Sequence, residues 1–426
     1  MADEPRHPGW LLVLLGAMTG LGPFSMDMYL PALPHIADEF HAGASVVQLT
    51  LTACLLGLAL GQLLIGPLSD RWGRRRPVLI GLALYTVTSL LCALAPSAEV
   101  LSAARLAQGM AGGVSIVVAR AVVRDLHSGA AAAAYFSRLV LVFGVAPVVA
   151  PSIGGLVLRV TDWRGVFVVL AAIGVLILVA AYAGLPETLS AARRRAGGLA
   201  DTARGMRTLL HDAGYVGYVV ALGMAGAGLF GYISGSSFVL QRVYGASPQV
   251  YGLLFGLNAL GFVLVGQVNG RLVRRVPPRR LLGIALIWLL AAGAGVLVAT
   301  RWHSLVAVAV PLFGFMAALG MVLPNTMALA LDLHPERAGT ASALLGAAQS
   351  LLGAAAAPLV GLAGEETATP MALTMTAAAV GALVAYLAVS MIVTTSGKLG
   401  PHQVPEATTS GVRAAAETAP RSEERA

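Results

Sequence analysis

The amino-acid sequence predicts an all-α membrane protein with twelve transmembrane helices in two six-helix bundles, and three observations carry that prediction. Of the 426 residues, 57% are hydrophobic and 11% charged, with a mean hydropathy of +0.80. A surface facing only water cannot carry such an apolar excess. The apolar residues also come in long stretches, among them 10–29, 46–68 and 139–158. At roughly 1.5 Å of rise per residue, about twenty such residues cross a hydrocarbon layer roughly 30 Å thick. Finally, the basic residues sit in short clusters between these stretches, where they set topology.

In chain order the spans read 10–30, 46–68, 78–95, 99–119, 136–158, 164–185, 214–238, 250–270, 281–299, 304–328, 338–361 and 371–393. The first begins at Trp10 after a short polar head, lacks a small-residue cleavage site and runs on past Pro23, so it reads as a retained helix and not a removed signal peptide. The second ends at a loop, Gly66 to Pro77. The widest polar interval, 186–213, holds Arg193, Arg194, Arg195, Arg204 and Arg207 and separates six spans from six. It is therefore the linker between bundles at 1–185 and 214–395. The tail, 396–426, is polar and rich in Pro, Ala, Thr and Glu, which predicts disorder.

With a cytoplasmic N-terminus, the inner loops hold Arg71, Arg74, Arg75, Arg76, Arg120, Arg124, the linker arginines, Arg271, Arg274, Arg275, Arg279, Arg280 and Arg337. The outer loops hold Arg159, Arg164, Arg242 and Arg301. This asymmetry predicts both termini in the cytoplasm. It also accounts for the net charge of +8 without nucleic acid. Gly61-Gln62 before one basic loop and Gly266-Gln267 before another hint at an internal repeat, the usual build of a secondary transporter.

Several function classes find no support. No glycine loop precedes a Lys-Ser/Thr pair, so ATP hydrolysis is not expected to drive the chain. The histidines form no HExxH or Cys/His cluster, and Cys54 and Cys92 fall inside spans, so neither a metal site nor a disulfide framework is expected. A hydrolase would need a nucleophile and base at matching depth, and none stands out.

The residues that could carry chemistry are few. Asp27 is the acid that lies well inside a span; a charged carboxylate is costly there, which suits a group that binds and releases a proton or contacts substrate. The alternative is a structural acid near a helix end. Arg105 in the fourth span lies at comparable depth, with Gln108 on the same face. An Asp27–Arg105 pair could be gated or permanent. In the loop from Gly66, Asp70 can pair with Arg71 or Arg74 while Gly66 and Gly73 permit a tight turn, an arrangement able to lock one face. Gly144, Pro147, Pro151, Gly154 and Gly155 in the fifth span form either a hinge or a fixed kink. Phe230, Tyr232 and Ser236 mix aromatic faces with hydroxyls as an amphipathic-ligand pocket would, and Asn258 and Asn325 are further buried polar candidates; packing roles are the alternative for all five.

These motifs resemble the major facilitator superfamily, and within it the twelve-span drug:proton antiporters of the bicyclomycin and chloramphenicol/florfenicol exporter group. The likeness covers roughly residues 10 to 395. It rests on PFSMDMYLPALP (23–34), the segment 66–77, Arg105-Leu-Ala-Gln108-Gly109, Arg124-Asp125, Pro151-Ser-Ile-Gly154-Gly155, Ser234–Leu240 and His334–Thr340. It implies the major facilitator fold, with a central cavity opened alternately to either side. It further implies proton coupling through Asp27 and Arg105, a conformational latch at Gly66, Asp70, Arg71, Gly73 and Arg74, and an antiporter segment in span five. Ala150 departs from the Gly-Pro usual there, and the second basic loop, 271–280, lacks the latch acid.

The expected function is proton-coupled efflux of small amphiphilic drugs across the bacterial inner membrane by a monomeric transporter that is no enzyme and needs no cofactor. Its partners are protons, a small-molecule drug or metabolite and membrane lipid, with Tyr29, Gln108, Phe230, Tyr232, Ser236, Asn258 and Asn325 lining the cavity. The competing reading is export of an endogenous metabolite or self-made antibiotic by the same mechanism. A receptor or scaffold without transport is a third.

Overall fold

A computed structural model describes residues 9–126, 135, 145–190, 206–334, 338–361 and 367–395. Gly144, Arg193, Arg194, Arg195, Arg204, Arg337 and the tail from 396 lie outside the described residues. The elements are α1 (Gly9–Asp27), a 3-10 turn (Leu30–Ala32), α2 (Leu33–Glu39), α3 (Ala44–Trp72), α4 (Arg75–Ala93), α5 (Ala98–Leu126), α6 (Val145–Val157) and α7 (Trp163–Gly184). They continue with α8 (Ala213–Phe238), a π-helical turn (Val239–Val243), α9 (Pro248–Leu272), α10 (Pro278–Ala299), α11 (Leu305–Asp332), α12 (Ala338–Gly361) and α13 (Thr369–Thr395). Among the described residues there is no strand, and eleven helical stretches are long and apolar enough to cross a membrane, counting 10–39 as one. The described part of the fifth predicted span is α6.

Three sequence expectations are corrected. The first span does not end at residue 30. Pro31 lacks the N–H that would bond the carbonyl of Asp27, the chain tightens into a 3-10 turn, and helix resumes to Glu39. The stretch Gly66 to Trp72 is not a loop; α3 runs through it and stops at Gly73, whose φ of 91° an L-residue would adopt only under strain. Likewise α5 continues to Leu126, so Arg120 and Arg124 are helical residues and not loop residues.

Helices up to α7 pack chiefly on one another, and those from α8 onward do the same. In the first group α3 and α5 cross at backbone distance. A Cβ at Gly61 would lie 2.2 Å from the carbonyl oxygen of Met110, and one at Gly109 would lie 2.1 Å from that of Cys54. Small residues at such crossings replace the hydrophobic drive that lipid does not supply. Outward faces carry exposed apolar side chains such as Leu176, Leu253 and Val306, as lipid contact requires.

Among the described residues the two groups join at one end of the first group. One apolar core joins the second group to Met26–Leu55 and Trp163–Leu170 of the first. A separate core holds Leu11–Leu21, Val114–Val123 and Ile177–Leu185 of the first group by itself. The first group's share of this core is remote from Gly9, while the core runs along the second group as far as Val389; the end at which the groups join is called the far end below, and the opposite one the terminal end.

Candidate functional site

Asp27 closes α1, yet because helix resumes beyond it the residue stands mid-way along the stretch 10–39 and is only 5% exposed. Among the described residues its carboxylate makes no hydrogen bond or ion pair. Arg105, Cys54, Tyr232 and Tyr251 are within electrostatic reach of it.

Arg105 is fully buried. It donates to Oε1 of Gln108 at 2.5 Å, as their spacing of three residues on α5 permits. Its guanidinium carbon lies 4.3 Å from the ring centre of Tyr29 and 5.7 Å from that of Phe167. Aromatic faces of this kind attract a cation. Among the described residues Nε and Nη2 of Arg105 have no hydrogen-bond partner. Gln108 passes the network on to Ser89 Oγ at 2.7 Å, and Tyr29 is tied to Thr50 at 2.8 Å. Tyr85 bonds Ser25 on α1 at 2.7 Å. The structure thus brings Asp27, Tyr29, Arg105 and Gln108 into one buried polar cluster, without an Asp27–Arg105 ion pair.

A second cluster belongs to α8 and α9. Asn258 Nδ2 donates to the Tyr232 hydroxyl at 2.8 Å, and Ser236 and Tyr251 share a hydrogen bond of 3.2 Å. Phe255 stacks on Tyr232 with ring centres 5.3 Å apart and also touches Tyr251. Two candidates stand apart from this cluster. Phe230 packs on Gly353 of α12, and Asn325 donates to Asn269 Oδ1 at 2.7 Å and to the Met321 carbonyl at 2.8 Å, a helix-packing arrangement.

Hydrogen bonds tie the two clusters together at the far end. Gln48 donates to the carbonyl of Ser234 at 3.1 Å and Ser237 to that of Leu30. Gln241 donates to the Pro31 carbonyl at 3.1 Å, and Arg242 bonds the Pro34 carbonyl and pairs with Asp38. The described part of the fifth span, α6, is wedged into the same junction. A Cβ at Gly154 would lie 1.8 Å from the Met28 carbonyl oxygen, and one at Gly155 would lie 2.8 Å from that of Pro248. Pro147 and Pro151 stand on the same helix α6.

At the terminal end Arg74 is the hub. It pairs with Asp70 at 2.6 Å and with Asp125 at 2.8 Å, and Thr188 donates to Asp125 at 2.9 Å. Burial disfavours the charge on Arg74, but the two carboxylates outweigh it and hold its pKa above the ordinary value. Gly73 makes the turn that returns Arg74 to Asp70, Gly66 lies within α3, and Arg71 is exposed on the last turn. Sequence reasoning missed Asp125, Tyr251, Phe255 and Glu187, which accepts from the Arg74 N–H at 2.8 Å, as members of these clusters, and missed Asn269 as the partner of Asn325. The acid in Arg124-Asp125 was visible, but nothing in the linear sequence placed it beside residue 74.

Residues 15–358 match the sequence profile of the Major Facilitator Superfamily. The chain is 42% identical over 377 residues, covering 88% of it and 94% of the relative, to an uncharacterized MFS-type transporter, YdgK, of Bacillus subtilis. It is 32% identical over 380 residues, covering 88% and 94%, to a bicyclomycin resistance protein homolog of Haemophilus influenzae. It is 31% identical over 353 residues, covering 80% and 85%, to multidrug resistance protein D of Escherichia coli. Among solved structures, a bacterial homolog of the human lysosomal transporter Spinster, inward-facing and unoccupied, superposes with a TM-score of 0.75 at 18% identity, covering 94% of this chain and all of that one.

Proposed function

The chain belongs to the Major Facilitator Superfamily, a multi-pass secondary transporter of the bacterial inner membrane and not an enzyme, and from that premise we propose that it exports a small endogenous molecule in exchange for protons. Asp27 carries the proton. The observation that supports this is a buried carboxylate mid-way along the apolar stretch 10–39, without a hydrogen bond or ion pair among the described residues and within the field of a buried arginine. Gaining and losing one proton there changes little else in the packing, which suits a carrier. One charge crossing 100 mV is worth about 2.3 kcal/mol, so one proton per neutral cargo molecule drives substantial accumulation outward.

An endogenous cargo, a metabolite or self-made antibiotic, fits the second cluster. Its hydroxyls and amide are already oriented by one another through Asn258–Tyr232 and Ser236–Tyr251. Oriented donors and acceptors favour one class of ligand, whereas promiscuous sites rely on surfaces that repack. Efflux of amphiphilic drugs is the second reading, supported by relatives named for bicyclomycin and multidrug resistance. Tyr29, Gln108, Tyr232, Ser236 and Asn258 are the cargo contacts under either reading. The latch residues Asp70 and Arg74 close the terminal end when the far end opens. Both termini are cytoplasmic and the working unit is a monomer.

The test is cargo-dependent proton movement in proteoliposomes, with a panel of bacterial metabolites beside chloramphenicol and florfenicol. Exchange is expected in the wild type and is expected to fall at least tenfold in Asp27→Asn. Exchange that survives the substitution removes the proton from Asp27.

A further inference from the structure

Resting on the reading of Asp70 and Arg74 as a latch, we propose that Glu187 and Thr188, just beyond the end of α7, are positioning residues of that latch: Glu187 fixes the backbone of Arg74, and Thr188 fixes a carboxylate that Arg74 grips.

The sequence brings them there by ending α7 sharply. Leu185 leaves the helix in an extended conformation, φ −74° and ψ 113°, as the residue before a proline does, and Pro186 has no N–H with which to continue α7. Leu185 and Leu189 are both buried, and Leu185 belongs to the core that the first group keeps to itself. The segment between the two leucines is therefore docked on the first group, with Glu187 and Thr188 directed at the start of α4 and the end of α5.

Helix α4 needs what Glu187 supplies. The first backbone N–H groups of a helix have no partner within it, and its positive end favours an anion. Yet α4 opens with Arg74, Arg75 and Arg76 and has no acid in its first turn. Arg74 stands at the capping position, but its side chain does not cap, because it is spent on Ser69, Asp70 and Asp125. The Glu187 carboxylate takes over. It accepts from the Arg74 N–H at 2.8 Å and the Arg75 N–H at 3.3 Å, and from the N–H of Leu189 at 3.0 Å.

Thr188 works on the other side of the hub. Its hydroxyl donates to Asp125 Oδ2 at 2.9 Å, the oxygen that also accepts from Arg74 Nε at 2.8 Å. Arg75 ties the same surfaces once more: it donates to the Tyr182 carbonyl at 2.6 Å, with its guanidinium carbon 5.6 Å from the Tyr182 ring centre. The hub thus joins the end of α3, the start of α4, the end of α5 and the exit of α7. Partners held in place beforehand lose less freedom when they engage. With the Arg74 backbone and the Asp125 carboxylate held, the latch is ready to close the terminal end whenever the far end opens. Without Glu187 or Thr188 that closure costs more, and the state with an open far end is less populated.

The test follows opening of the far end without cargo. Ala44, at the start of α3, is buried and lines one small cavity with Gly235 and Val360 of the second group. In Ala44→Cys the thiol is therefore reached by a membrane-impermeant maleimide, added outside right-side-out vesicles, only while the far end is open. Protein without Ala44→Cys is the blank for Cys54 and Cys92. Thr188→Val and Glu187→Ala are each expected to slow labelling about fivefold. Glu187→Gln, which keeps an acceptor for the Arg74 N–H, is expected to recover to within about twofold of the parent. In an Asp125→Ala background, Thr188→Val is expected to add less than about twofold, because its target is already gone. A merely structural defect multiplies with Asp125→Ala and is not rescued by Gln. Parent-like labelling in both single variants, no recovery in Glu187→Gln, or full multiplication in the Asp125→Ala background each overturns the proposal while Asp70→Asn stays slow. Parent-like labelling in Asp70→Asn itself means that the latch reading has failed, and the proposal falls with it.

Discussion

At the scale of single residues, burial and hydrogen-bond supply decide the chemistry. Asp27 was legible in the sequence because an acid inside an apolar stretch is rare and costly. Its freedom from Arg105 was not legible, because the distance between two helices is not written in either. Asp212 shows the ordinary case. It caps α8 by accepting from the N–H groups of Gly214 at 2.8 Å and Tyr215 at 3.2 Å, and it pairs with His334 at 3.0 Å. Burial works against its charge, but the two backbone N–H groups and His334 outweigh that cost, so its pKa lies below the usual carboxylate value of 3.8. A folded pKa below the unfolded one contributes stability that is full above the unfolded value and is lost as pH falls through the folded one. Asp212→Ala is therefore expected to destabilise the protein by about 0.5–2 kcal/mol at pH 7. Thermal unfolding of both proteins should show that difference shrinking below pH 4, where wild-type Asp212 takes up a proton; a constant difference would exclude the charge as its source.

At the scale of elements, small residues decide where helices touch. The glycines and prolines of the fifth span were legible as a motif, but whether they formed a hinge or a kink was not. The tertiary contacts place Gly154 against Met28, one residue after Asp27, and Gly155 against α9. The helix α6 is thus a wedge between the two groups, fixed to the backbone next to Asp27. Gly154→Val is expected to cost about 1–3 kcal/mol or more, since the side chain has no room and the α1 backbone must move. Melting in detergent should show that loss beside a drop in cargo exchange. Gly270→Ala serves as control: a Cβ there meets no atom within 4 Å. It is expected to leave stability unchanged or raise it by up to about 1 kcal/mol. Equal damage from both substitutions would refute the wedge.

At the scale of the whole molecule, the distribution of contacts identifies the state. The halves share one core and at least five hydrogen-bonded links at the far end, while the terminal end of the first group keeps its own core. Under the proposed cytoplasmic placement of both termini, this arrangement is closed outward. Locking it should stop transport. Asp38 and Arg242 form an ion pair across the junction, on exposed and partly exposed side chains. The natural cysteines, Cys54 and Cys92, are both buried. Bridging Asp38→Cys and Arg242→Cys with a short reducible bifunctional reagent is expected to abolish exchange, and reduction is expected to restore it. Full transport by the bridged protein would mean that the far end does not separate during the cycle.

The sequence by itself determined the lipid-facing character, the count of spans, the candidate topology and the acid worth testing. Each follows from composition along one dimension: an apolar run long enough to cross, basic residues beside it, a carboxylate within it. Only the tertiary structure decided which polar groups answer one another. Arg74 chose Asp70 and Asp125 and left Arg71 exposed, Asn325 was consumed by Asn269, and Tyr232 received its hydrogen bond from Asn258, 26 residues away. The physical reason is that hydrogen bonds and charges act over a few ångströms. In a bundle of long helices those ångströms are spanned between residues far apart in the chain, at crossings set by glycines whose partners the linear sequence does not name.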